Sequence, residues 1–325
     1  MTYTKLALTI SSYIIFGFTI LSTIFLSIVI RPLYKFSKER TALYILFSKT
    51  CFNLLYLYII IFWSSTQYIP YVPSSLFSII TPYVYPVMEF SLNGSYFHMA
   101  ALALNRFHAV FFVFSYERIW NKKNVKYLIF TMILITCVFV AVKMSEVFFG
   151  VTTMMTGLIK NGIFIQGDLT LISSFCLSIT IYVAIMIKLY YNYKTQKNAP
   201  KVDNTTAIKD RLSVLVICLI STLPCPLYFA TTKLYYSINF KTPDDQSFLY
   251  SIYSVIYNSN YALIQCFEEI CLCIMSKDFR KLVKDQFVKN TQTNAVATTV
   301  YVSQALQQQR IRQLNIQRNN LVNNN

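Results

Sequence analysis

Residues 7–30 read ALTISSYIIFGFTILSTIFLSIVI, an apolar run with no charged side chain, and the next residue is Arg31. A bilayer core of about 30 Å needs about 20 apolar residues in helical form to cross it. The run meets that length and exceeds the apolar region of a secretory signal peptide. No convincing small-residue cleavage site follows, so it is expected to remain as an anchor. Working outward, six further segments fit the same description: 42–63, 83–115, 127–149, 167–190, 212–233 and 247–274. The third exceeds one bilayer thickness and is expected to tilt or to protrude at its inner end. Long unbroken runs favour helices, because in lipid each backbone N–H and C=O must be satisfied within the segment. A barrel would instead show alternating segments of about ten residues.

Composition points the same way. Of 325 residues, 55% are hydrophobic and 13% charged, against roughly 25% charged in soluble domains. The expected fold is an all-α membrane protein, a seven-transmembrane helix bundle. The net charge of +16 lies in the gaps between apolar runs and in the tail, which implies anchoring at lipid headgroups and no nucleic-acid partner.

The basic residues set an orientation. One side holds Arg31, Lys35, Lys38, Arg40, Arg106, Arg118, Lys122, Lys123, Lys126, Lys188, Lys194, Lys197, Lys201, Lys209, Arg211 and the tail from Lys277. The other holds Lys5, Lys143, Lys160, Lys233 and Lys241. The first set is expected inside. Residues 1–6 then form an extracellular amino terminus, 7–274 the bundle, 275–289 an amphipathic membrane-surface helix, and 290–325 a disordered cytoplasmic tail. The expected location is the plasma membrane. Asn204-Thr205-Thr206 matches the glycosylation pattern but falls on the inner side; Asn93-Gly94-Ser95 also matches and is expected to be buried.

In 275–289, Ser276-Lys277-Asp278 reads as a helix start. Phe279, Leu282, Val283 and Phe287 then recur at helical spacing among Lys277, Arg280, Lys281 and Lys284. The eight cysteines lie in or beside apolar runs and show no zinc spacing, so most are read as small core residues. Cys271 and Cys273 are candidates for S-palmitoylation.

The inner end of the third segment reads Leu104-Asn105-Arg106-Phe107-His108-Ala109-Val110, followed by Ser115-Tyr116-Glu117-Arg118-Ile119-Trp120. This run resembles the nematode serpentine chemoreceptors, G-protein-coupled receptors, particularly the group containing classes gamma, V and X. In that group an Asn-Arg-aromatic triplet stands where rhodopsin-like receptors usually carry Asp-Arg-Tyr. The resemblance implies a sensory receptor that takes a small-molecule ligand from outside and signals through a heterotrimeric G protein. It places Asn105, Arg106 and Phe107 at the coupling end. The chain departs from the rhodopsin-like pattern at Asn105, which cannot restrain Arg106 as an acid would. It departs also at Asn258-Ser259-Asn260-Tyr261, which lacks the usual proline, and in having no outer-loop cysteine.

Ionisable groups within spans are costly and face protein or water. Glu89, Asn93 and Tyr96 share one helical stripe, continued by Ala100. Facing the bundle, this stripe lines an outward-opening ligand pocket; otherwise Glu89 is solvated and Asn93 bonds a neighbouring helix. Lys143 and Glu146, three residues apart, read as a helix-surface ion pair. His98 reads as a hydrogen-bonded core histidine. Lys49 is expected to pair with Glu268 or Glu269, with Arg106 competing for the other, as a switch that holds the resting state. Pro224 and Pro226 are expected to kink the sixth segment.

Rival readings are a transporter or channel, a membrane enzyme, and a receptor-like partner that does not signal. Transporters often show paired broken helices, and only the sixth segment has a conspicuous break. No His cluster, nucleophile constellation or phosphate-cradling glycine loop is present, so no enzyme, metal or cofactor is expected.

Overall fold

A computed structural model describes residues 3–38, 41–68, 74–149, 168–196, 225–227, 230 and 243–287; all regular elements among them are helical, and none is a strand. The helices are α1 Tyr3–Ser37, α2 Ala42–Tyr68, α3 Ser74–Phe111, α4 Val113–Ile119, α5 Lys122–Phe149, α6 Asp168–Gln196, α7 Pro243–Met275 and α8 Lys277–Asp285.

Four of them carry stretches long and apolar enough to cross a membrane: Thr9–Ser37, Leu43–Ser65, Lys122–Ser145 and Thr170–Tyr191. Their exteriors are apolar. Leu21 is 65% exposed and Val138 63%, while Lys49 and Lys143 are buried. Water would reverse that arrangement, so the chain is a membrane protein. Hydroxyl residues fit these helices because each can bond one turn back along its own backbone. Thr19 donates to Ile15 O at 2.9 Å, Thr23 to Thr19 O at 2.7 Å and Thr136 to Met132 O at 2.7 Å.

The elements follow the expected segments with several ends moved: α1 begins at Tyr3, inside the expected amino terminus, α2 runs on to Tyr68, α5 begins at Lys122, α6 runs on to Gln196 and α7 begins at Pro243. The first helix runs past residue 30 to Ser37, carrying Pro32 inside it. The third begins at Ser74 rather than 83, because Pro82 and Pro86 lie within the helix. It also stops at Phe111, short of 115, and after Phe112 the separate α4 begins. At 38 residues, α3 is about 57 Å long at the usual helical rise, well beyond one bilayer core. The sixth expected segment lies outside the described residues except for 225–227 and 230, which are helical. Pro224, the glycosylation pattern at Asn204 and the tail from 290 also lie outside them.

By its contacts the chain divides after Arg280. In residues 1–280, α1 packs on α2 and α7, α2 on α3 and α5, and α3 on α5 and α6. The α2–α3 approach is close because residue 94 is glycine. A Cβ there would stand 2.4 Å from Cε1 of Phe52. Ser276 starts α8 as expected, its hydroxyl accepting the Phe279 N–H at 3.2 Å. Phe279 is buried and its ring centroid lies 5.7 Å from that of Phe36. Residues 281–287 complete α8 and the turn after it.

Candidate functional site

Two polar layers are built into the apolar interior. The first joins α3, α5 and α6. The Lys143 ammonium donates to Oε2 of Glu89 at 2.6 Å. Nδ2 of Asn93 donates to the same oxygen at 3.1 Å and to Glu89 O at 2.7 Å. The Thr170 hydroxyl in turn donates to Oδ1 of Asn93 at 2.5 Å. Asn93 sits one turn after Glu89, which lets a single side chain join the carboxylate to α6.

This layer revises two expectations. Glu89 is 5% exposed and paired with Lys143, so it is not solvated, while Asn93 bonds a neighbouring helix as the alternative expected. Lys143 is buried and reaches across to α3, so it is not a helix-surface residue; the Glu146 side chain lies outside the described residues. The physical reason is the medium: a lysine in lipid gains most from a partner inside the bundle.

Below Asn93 the stripe continues into an aromatic cluster. The Tyr96 hydroxyl donates to that of Tyr261 at 2.9 Å. The rings of Tyr56 and Tyr261 lie 5.4 Å apart, and those of Tyr257 and Tyr261 6.3 Å apart and nearly parallel. Leu171, Met99, Ile264 and Cys225 close this cluster. Ala100 is half-buried. Glu89, Asn93 and Tyr96 therefore occupy the bundle interior, and Tyr96 meets α7.

The second polar layer joins α2, α3 and α7. Nζ of Lys49 lies 3.0 Å from Oε2 of Glu268, the pairing expected from sequence. The approach lies off the hydrogen-bonding direction, so charge holds it. Oγ1 of Thr50 stands 2.6 Å from Oε1 of Glu269 and 2.8 Å from Leu46 O. Asn53 donates to Gln265 O, and Ser95 to Oε1 of Gln265 at 3.5 Å. His98 is wholly buried, with Nδ1 2.7 Å from Gly94 O, a hydrogen-bonded core histidine as expected. Asn53 Oδ1, His98 Nε2, Gln265 Nε2 and Glu269 Oε2 are buried without a hydrogen-bond partner.

At the inner end of α3, Arg106 does not compete for Glu269. Its Nη1 donates to the Tyr182 hydroxyl of α6 at 2.9 Å. Asn105 and the Tyr116 hydroxyl exchange contacts at 3.3 and 3.4 Å, tying α3 to α4. Burial pushes the Tyr116 phenol above its usual range, opposed by that bond to Asn105. Phe107 stacks on Phe111 at 4.4 Å and packs against the Ala103, Ile181, Tyr182 and Ile185 cluster.

No family model matches this chain, and no curated protein does. The site therefore stands on its geometry alone.

Thr50, Gln265, Thr170 and Tyr182 were not singled out in the sequence. Thr50 follows Lys49, and Gln265 precedes Glu269 by one turn, so both lay within reach of a helical-register search. Thr170 and Tyr182 carry no such signal, being neutral partners on another helix. Pro226 is exposed on its helical fragment. Cys271 is buried and Cys273 partly so.

Proposed function

We propose that the chain is a seven-helix membrane receptor of the chemosensory type, with its amino terminus outside and its carboxyl end in the cytoplasm. It takes a small ligand from the outside and couples through a heterotrimeric G protein. The observation that carries this reading is the placement of two charged layers inside helices with apolar exteriors, one tying α3 to α5 and the other tying α2 to α7. Buried charge in a membrane is costly and is retained where it serves function. The Lys49–Glu268 pair between α2 and α7 is also an element with two arrangements, made and broken, which a ligand can bias through differential affinity.

The basic residues support the orientation. Lys35 closes α1, while Lys122 and Lys123 open α5. The inner end of α3 carries the Asn105-Arg106-Phe107 triplet that resembles the serpentine receptors. Arg106 donates there to the Tyr182 hydroxyl of α6.

A ligand screen with second-messenger readout tests the reading, controlled by Arg106→Ala at matched surface expression. A response lost in the variant is the expected result. A response retained removes Arg106 from coupling. The buried carboxylates of α7 also fit a transporter, and ligand-evoked current in proteoliposomes without G protein would favour that reading.

A further inference from the structure

Thr50 has one hydroxyl proton and two short oxygen contacts. Its Oγ1 lies 2.8 Å from the Leu46 carbonyl oxygen and 2.6 Å from Oε1 of Glu269. A hydroxyl donates once and accepts through its lone pairs. A carbonyl oxygen carries no proton, so the Thr50 proton serves the bond to Leu46. A second proton must then lie between Thr50 and Glu269, or two oxygens bearing lone pairs would face each other at contact distance. A proton on Glu269 gives each of the two contacts a hydrogen of its own, where otherwise one hydroxyl proton would be divided between two acceptors.

The surroundings agree. Glu269 is 0% exposed. Among the described residues, the charged and titratable groups that interact with Glu269 are Lys49 on α2 and Glu268, Cys266, Cys271 and Cys273 on α7, while His98 on α3 and Cys225 of the sixth segment interact with Lys49. From α1 the Ser22 hydroxyl bonds Cys266. Lys49 is the one lysine or arginine among these groups, and it already pairs with Glu268. Among the described residues, a second carboxylate in the layer would have no countercharge.

Two wholly buried side chains face the layer with bare acceptors. The Asn53 amide is pinned to Gln265 O, one turn before Glu269, and its Oδ1 has no partner. His98 contacts Gly94 O through Nδ1, which must donate, leaving Nε2 without a hydrogen. Neither acceptor can stabilise an anion, and the layer's bare donor, Gln265 Nε2, bonds no carboxylate oxygen. Both suit a layer whose ligand is a proton.

We propose that Glu269 is a proton-binding site: its carboxyl is neutral in this arrangement of the helices and donates from Oε1 to the Thr50 hydroxyl, which donates onward to Leu46. The seam between α2 and α7 then carries Lys49 and Glu268 as a balanced pair. Release of the proton to bulk solvent leaves the layer with one surplus negative charge and disfavours the closed seam. This inference rests on the helix packing and does not need the receptor reading.

Infrared spectroscopy of the full chain in lipid nanodiscs at neutral pH tests it, because a carboxylic acid has a C=O stretch that a carboxylate lacks. Glu269→Gln should remove one acid band. Its amide can donate to Thr50 in place of the acid, so the variant should fold. Glu268→Gln leaves Lys49 with Glu269 as its carboxylate partner and should also lose the band by ionising Glu269, whereas Thr50→Val should shift the band without removing it. Lys49→Met should add a second acid band, from Glu268, and provides a test even if Glu269→Gln does not fold. The bands should be the same in sodium and in choline chloride. An acid band unchanged by Glu269→Gln, no added band in Lys49→Met, or a band abolished by sodium would each overturn the assignment, the last in favour of a metal cation.

Discussion

The layers around Glu89 and around Glu268 contain the same chemical parts and are finished differently. At Glu89 the ammonium of Lys143 makes an ion pair and a hydrogen bond with one oxygen at 2.6 Å, and Asn93 and Thr170 are both engaged. None of these four side chains leaves a buried polar atom without a partner. At Glu268 the Lys49 contact is longer, 3.0 Å, and off axis, and four polar side chains around it each leave an atom unpaired. A satisfied buried network makes its helices rigid, whereas a partly satisfied one has more to gain from rearranging. We propose on this ground that the α3–α5 layer is a brace and the α2–α7 layer the seam at which the bundle changes state.

The sharpest way to break this comparison is to remove one cation from each layer. Lys143→Ala strands Glu89 among partners that depend on it, and truncating one member of a buried pair costs about 3–5 kcal/mol. Lys49→Ala should cost less, because Glu268 can take up a proton beside an already neutral neighbour. Unfolding of each variant in detergent, followed by thermal midpoint, checks the ranking; equal losses would erase the distinction.

Next in size is Gly94→Ala. The new methyl meets the Phe52 ring at 2.4 Å, and overpacking of this kind costs about 1–3 kcal/mol. Phe52→Leu in the same chain should return part of the loss. No loss in the single variant would mean that α2 and α3 are less closely packed than described. Smaller still is Tyr261→Phe, which deletes the hydroxyl bonded to Tyr96 and should cost about 1 kcal/mol. Combined with Tyr96→Phe it should be less than additive, since both remove one bond.

Much of this architecture is readable from the chain because hydrocarbon simplifies the rules. The unbroken apolar runs give α1, α2, α5 and α6 almost directly. Lys49 and Glu268 can be paired from sequence for the same reason: charges inside apolar helices have few partners but each other. The reading fails where a local partner competes with a distant one. Glu146 stands three residues from Lys143, yet the ammonium goes to Glu89, 54 positions away; sequence separation says nothing about distance between neighbouring helices. Arg106 shows a second kind of failure. Its Tyr182 partner is neutral and is one of 25 tyrosines, so no charge pattern singles it out. The start of α3 is missed because Pro82 and Pro86 read as a boundary, although a long membrane helix can carry both where neighbouring groups satisfy the freed carbonyls.

The claim that α2 and α7 form the movable seam is tested most directly by basal second-messenger output of Lys49→Ala in cells, at surface expression matched to the unmodified protein. Loss of the Lys49–Glu268 pair should shift basal output away from the unmodified level, while Lys143→Ala, at equal surface density, should leave it unchanged. Identical basal output from Lys49→Ala and the unmodified chain would contradict the account.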